Sequence, residues 1–282
     1  DPTPLDELVE RPDPAERGLI STAMMIKKIV SIGASIVKRF AQGRDHGFHA
    51  TVVEELLRGL YLANVGGVIW NQMKLDTADA FGGDEQSHAG SAFLAALRDR
   101  VDPGNPPKIT LVGHSTGAVY ISELLAQADA MLPPSIKFGV VFEAPASTFE
   151  KASSTVEQHA SRFAGFRMFG MDEERELGDR LVPVVYPHSL LYFVSGVVEP
   201  DADTPILGMH RFHDRARFPD HEFPSITAAR DFVSESADRT AWSITDEQSQ
   251  PGCRTAAVKH GAFDDEDPAT LASVKHIIEN GF

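Results

Sequence analysis

Gly113-His114-Ser115-Thr116-Gly117 sets a serine between two glycines, each two positions away. A serine hydroxyl is a weak nucleophile at neutral pH. To attack a carbonyl it needs a base that takes its proton and donors that hold the oxyanion. The apolar run "ITLV" (109–112) precedes the motif, and a helical pattern follows it to about Leu132. A sharp turn between the two lifts the serine clear of a sheet, and Gly113 and Gly117 let neighbouring backbones approach without a Cβ clash. The same turn leaves the Thr116 N–H at a helix N-terminus, where the dipole favours negative charge. Ser115 is the candidate nucleophile and Thr116 the candidate oxyanion donor. His114, inside the turn, reads as a packing or pocket-lining side chain.

The elements around the motif change character near residue 108. Residues 1–18 are rich in Pro, Asp and Glu and read as an arm. From Ser21, a candidate N-cap, apolar residues recur at Ile26, Ile29, Val30, Ile36, Val37 and Phe40, which predicts an amphipathic helix. Val53, Leu56, Leu57, Leu60 and Tyr61 mark a second helical stretch that continues past Gly66-Gly67 to Trp70 and Met73. A third runs from about Ser91 through Val101 until "DPGNPP" stops it. After these come "ITLV", then "IKFGVVFEAP" (136–145), "FAGFRMFGM" (163–171) and "RTAAVKH" (254–260), which read as strands separated by helical segments. That alternation predicts an α/β architecture with a parallel sheet.

The strand–turn–helix context of Gly-x-Ser-x-Gly resembles the α/β-hydrolase superfamily of serine esterases and lipases. The likeness extends through "SLLYFVSGVVE", "TPILGM" and "HGAFDDEDPAT" and covers about residues 108–282. It implies an α/β-hydrolase-type parallel sheet with flanking helices, and a helical cap region ahead of the nucleophile strand. The implied division is residues 1–107 as a helical cap-like region and 108–282 as the catalytic core. The superfamily orders its triad as serine, carboxylate, histidine, which sends the search for the base to the C-terminus. His260 ends the last strand-like run and opens the loop "HGAFDDEDP", whereas His276 falls in the closing helical pattern "PATLASVKHII". His260 is therefore the candidate general base. The acid should sit just past a strand end, and Asp172 directly follows "FRMFGM". Glu173 and Asp179 compete with it, as do Glu199 and Asp201 if "LLYFVSGVVEP" is a strand. Pro187-His188-Ser189 looks like a helix start instead, which favours Asp172.

The resemblance implies a serine hydrolase that cleaves carboxylic esters through an acyl-enzyme. An amidase or thioesterase would use the same machinery, and a binding or scaffold protein on the same fold would use none of it. Members of the superfamily carry strands ahead of the nucleophile strand, and the loop after the third supplies a second oxyanion donor, often beside a His-Gly pair. Residues 1–107 show no strand series, and His46-Gly47 lies between two predicted helices. The expectation is that "ITLV" pairs with strands from a partner chain or an N-terminal segment beyond this sequence, or presents a bare edge covered by the helices at 21–80. Turnover by this chain alone should then be low.

Composition narrows the partners. The 282 residues carry 26 basic and 41 acidic side chains, a formal charge of −15, which disfavours a phosphate backbone as partner. A small-molecule ester is the expected substrate, with no nucleic acid and no integral membrane. No run approaches the roughly 18 apolar residues of a spanning helix, and the acidic start lacks a signal-peptide n-region, so a cytoplasmic setting is expected. Cys253 is the lone cysteine, so no disulfide is formed within the chain. His210 and His213 in "HRFHD", with Asp214 adjacent, have a spacing that could suit a metal, but a surface loop explains them and no metal or cofactor is expected. Phe138, Phe142, Phe163, Phe166 and Phe169 read as core before acyl pocket.

Overall fold

A computed structural model describes residues 14–59 and 62–282. Most of the arm predicted over residues 1–18, together with Leu60 and Tyr61, lies outside the described residues. Four helices come first: α1 (Pro14–Ala41), α2 (Phe48–Gly59), α3 (Leu62–Asp79) and α4 (Ala89–Arg98). Helical character was expected here, but its packing differs from the pattern. Ser21 lies inside α1, which is described from Pro14, a residue whose fixed φ suits a first turn. Among the described side chains of α1, Ile29, Val30 and Val37 are all more than 60% exposed. What α1 buries is Arg39, whose guanidinium pairs with Glu54 at 2.7 Å and Glu55 at 3.3 Å on α2.

Among the described residues the sheet has four strands, β1 (Ile109–His114), β2 (Phe138–Glu143), β3 (Phe163–Met171) and β4 (Thr240–Ser243), all parallel and in the order β1-β2-β3-β4. Crossover helices α5 (Gly117–Met131) and α6 (Phe149–His159) connect the first three. The period of two along a strand divides its side chains between two apolar clusters. Phe138, Val140 and Phe142 join Phe166 and Met168 on one face, while Val141 joins Phe169 and Met171 on the other. Helix α5 seals the first face with Ala118, Ile121, Leu124, Leu125 and Ala128, a three-and-four spacing. Each large apolar side chain buried there contributes ~1.5–3 kcal/mol of transfer free energy. Phe138, Phe142, Phe163 and Phe166 belong to this face, and Phe169 to the opposite cluster. Phe142, Phe163 and Phe166 border only a cavity of about 20 Å³, too small for an acyl chain.

One strand is placed differently from the sequence reading. The fourth strand is "TAWS", not "RTAAVKH", which runs as irregular backbone. Side chains take up its polar groups: Asp267 accepts from the Ala256 N–H at 2.8 Å, and the Thr255 N–H donates to Thr245 Oγ1 at 2.9 Å. Those bonds stand in for a ladder. After β3 come α7 (Glu173–Gly178), α8 (Leu190–Phe193) and α9 (Thr227–Ser234), and α10 (Pro268–Asn280) closes the chain. Ser189 caps α8, as Pro187-His188-Ser189 suggested, and Asp267 caps α10.

β1 is an edge strand with no partner on its outer side among the described residues, and Val112 is 42% exposed. No strand lies in the described part of residues 1–107.

Candidate active site

Ser115 sits just past β1 with φ of 54°, a left-handed conformation that a non-glycine residue adopts only under constraint. Two bonds to the next strand's exit hold it. Its N–H donates to the Glu143 carbonyl at 2.8 Å, and its own carbonyl accepts from Ala146 N–H at 2.9 Å. Gly113 is required at its place, because a Cβ there would meet the Gly117 carbonyl carbon and Ile121 Cδ1, both at 2.8 Å. Gly117 differs from the expectation: a Cβ on it would meet nothing within 4 Å. Its part in the turn is to lend its backbone as the surface against which Gly113 packs. Thr116 is the N-cap of α5, and the first-turn N–H groups of a helix have no intrahelical acceptor.

His260 opens a short turn (His260–Ala262) between β4 and α10. Its Nε2 lies 3.0 Å from Ser115 Oγ. Burial, then the neighbouring His114 ring, push the His260 imidazole down to about 3, partly offset by Asp264. A neutral ring that accepts from the serine hydroxyl through Nε2 carries its proton on Nδ1. That atom is buried and has no hydrogen-bond partner.

None of the candidate carboxylates occupies the position beside Nδ1. Asp172 does follow β3, but it caps α7: its Oδ1 accepts from the Arg175 N–H at 3.0 Å and its Oδ2 pairs with the Arg175 guanidinium. No bond joins Asp172 to His260, so the structure does not bring the expected acid to the base. Glu173 bonds to Arg217 at 2.9 Å. Glu199 is held by Lys74 at 2.9 Å and by Trp70 Nε1 at 2.6 Å, on α3. Asp201 accepts from the Thr204 hydroxyl through its carbonyl. Asp179 alone of these touches His260, its Oδ2 accepting the backbone N–H at 2.8 Å. It also lines a cavity of about 330 Å³ beside His260, with Arg180, Leu190 and Lys259.

Three neighbours escaped the sequence reading or were underrated. Asp264, four residues beyond the base, lies 3.1 Å from His114 Nδ1. Glu143 ends β2 opposite His114 in register, and burial, then Asp264, push its carboxyl up to about 7. The acidic run after His260 and the lone Glu in "VVFEAP" were the available signals. His114 itself bonds through Nε2 to the His260 carbonyl at 2.9 Å, a role beyond pocket lining.

A second polar cluster joins the helical region to the loops after α8. His46 is fully buried, with Nδ1 2.8 Å from Glu54 and Nε2 2.8 Å from Asp203. Burial opposes its protonation, but the two carboxylates outweigh it and hold the ring's pKa above the usual value. Tyr186 donates its hydroxyl to Glu54 at 2.5 Å. A cavity of about 360 Å³ opens beside His46, Tyr192 and Arg211. His210 and His213 pack edge-on against Trp242, with centroids 4.8 and 5.0 Å from its ring, and His213 Nε2 donates to the Leu207 carbonyl. No group of three or more metal-ligating side chains comes together among the described residues. No helix among them is long and apolar enough to cross a membrane.

No family model, no curated protein and no solved structure matches the chain. What the residues define is an α/β protein: an all-parallel sheet with helices around it, and a serine–histidine pair where its strands end. In open parallel sheets the carboxyl ends of the strands are where ligands bind.

Proposed function

We propose that the chain is a serine hydrolase of α/β-hydrolase type that cleaves carboxylic esters of small molecules. The 3.0 Å contact between Ser115 Oγ and His260 Nε2, at a strained strand-to-helix turn, carries this reading. Ser115 Oγ attacks the ester carbonyl as its proton passes to His260 Nε2, and the Thr116 N–H holds the oxyanion. His260 then returns the proton to the departing alkoxide, leaving an acyl-serine that water hydrolyses by the reverse proton path. Asp179 is proposed as the orienting acid, because among the candidate carboxylates it is the one bonded to His260, through the backbone N–H. A site that held the oxyanion through the Thr116 N–H alone would turn over more slowly than one with two donors, by on the order of 10² to 10³. The lone Cys253, which forms no disulfide, fits a reducing, cytoplasmic setting.

The orphaned Nδ1 supports a second reading, a non-catalytic binding protein on the same framework. Hydrolysis of a short-chain aryl ester separates the two. Loss of turnover in Ser115→Ala by several orders of magnitude supports the hydrolase. Equal rates in parent and variant exclude it.

A further inference from the structure

We propose that His114 is a positioning residue: it latches the loop that carries His260 onto the strand that carries Ser115. Its ring spans both. Nε2 donates to the His260 carbonyl at 2.9 Å, and Nδ1 faces the Asp264 carboxylate at 3.1 Å. Three groups face the ring: Asp264 on the loop, the His260 ring at a centroid distance of 5.0 Å, and Glu143 opposite it on β2. The nucleophile's immediate neighbour thereby fixes the base's loop at two points, residues 260 and 264. The His114 ring, second to burial, also opposes charging of His260.

The latch is a statement about the resting protein, whereas its effect on reactivity rests on the hydrolase reading, and the test separates them. The full chain is compared with His114→Leu, His114→Gln, Asp264→Asn and the Leu/Asn double variant. One measurement is the ring titration of His260 by NMR, assigned with His260→Gln. The other is the rate at which a small fluorophosphonate labels Ser115. In His114→Leu the His260 midpoint should rise and labelling should slow by about tenfold or more. His114→Gln keeps a donor for the His260 carbonyl but not the imidazole ring, so it should recover part of the labelling rate without restoring the midpoint. Asp264→Asn should also slow labelling, and the double variant should be no slower than His114→Leu alone, as for one shared contact. Unchanged midpoint and labelling in His114→Leu, or fully additive effects in the double variant, overturn the latch. If His114→Leu does not fold, His114→Gln and Asp264→Asn carry the same comparison. If the parent itself is not labelled, the hydrolase reading fails while the NMR titration still decides the latch.

Discussion

Ser115 Oγ and His260 Nε2 lie 3.0 Å apart although 145 residues separate them in the chain. The serine is held at the exit of β1 by the Glu143 and Ala146 backbones, and the histidine by Asp179 and His114 through its own backbone N–H and carbonyl. Both partners are therefore positioned by main-chain bonds, which side-chain substitution at either residue leaves in place.

The two glycines of the turn should respond differently. Gly113→Ala forces a Cβ against the Gly117 backbone at 2.8 Å, so it should lower stability by about 1–3 kcal/mol and displace Ser115. Gly117→Ala enters open space and should be neutral or slightly stabilising. Chemical denaturation of the two variants checks the contrast, and equal losses would contradict it.

The acid can be located by a pair of amides. Asp179→Asn should reduce ester turnover sharply through loss of the orienting carboxylate. Asp172→Asn should change it little, because asparagine also caps a helix and Asp172 touches Arg175, not His260. The kcat of each variant is the readout, and the reverse ranking would return the role to Asp172.

Stability should peak between about pH 4.5 and 6.5. On the acid side, burial pushes His260 down to about 3 and His213 down to about 4, so the unfolded chain takes up protons below its ordinary 6.5 that the native state refuses, and stability falls with falling pH. Glu54 and Asp203 add to this loss at still lower pH: burial works against them, but His46 holds both below the usual range. On the alkaline side, burial holds Glu143 at about 7 and Glu176 at about 8, so the native state keeps protons that the unfolded chain releases above 4.5, and stability falls as pH rises. Between these limits the two histidines and two glutamates offset one another. Urea midpoints across pH 4–9 test this, and a midpoint that climbs steadily to pH 9 would contradict it.

Breaking the second cluster should cost more than any surface change. Glu54→Gln strips the carboxylate from buried His46 and Arg39 together, and should destabilise by about 3–5 kcal/mol. Calorimetric or urea unfolding gives the value, and a loss under 1 kcal/mol would show that the cluster relaxes without Glu54.

Local signals were legible in the sequence where local physics decides the outcome. The serine turn, β1 to β3, the start of α8 and the whole of α10 follow from glycine spacing, β-branched runs and caps whose partners are a few residues away. "RTAAVKH" has the apolar character of a strand, yet Asp267 and Thr245 satisfy its backbone, and nothing in the run itself announces them. Asp172 stands at the right strand end, but Arg175, three residues on, takes its carboxylate. The apolar periodicity of α1 pointed to a buried stripe, whereas the buried residue is Arg39, fixed by Glu54 on the next helix. His46 is set aside in the sequence because it lies between two predicted helices, and its partner Asp203 lies 157 residues away. Burial of charge depends on such distant partners, which a pattern of neighbours does not contain.

Intact-mass analysis after treatment with a fluorophosphonate tests the nucleophile most directly. The account predicts one adduct per chain, located on the peptide that contains Ser115, absent in Ser115→Ala and formed much more slowly in His260→Gln. A folded parent that stays unmodified, or an adduct that persists in Ser115→Ala, would contradict it.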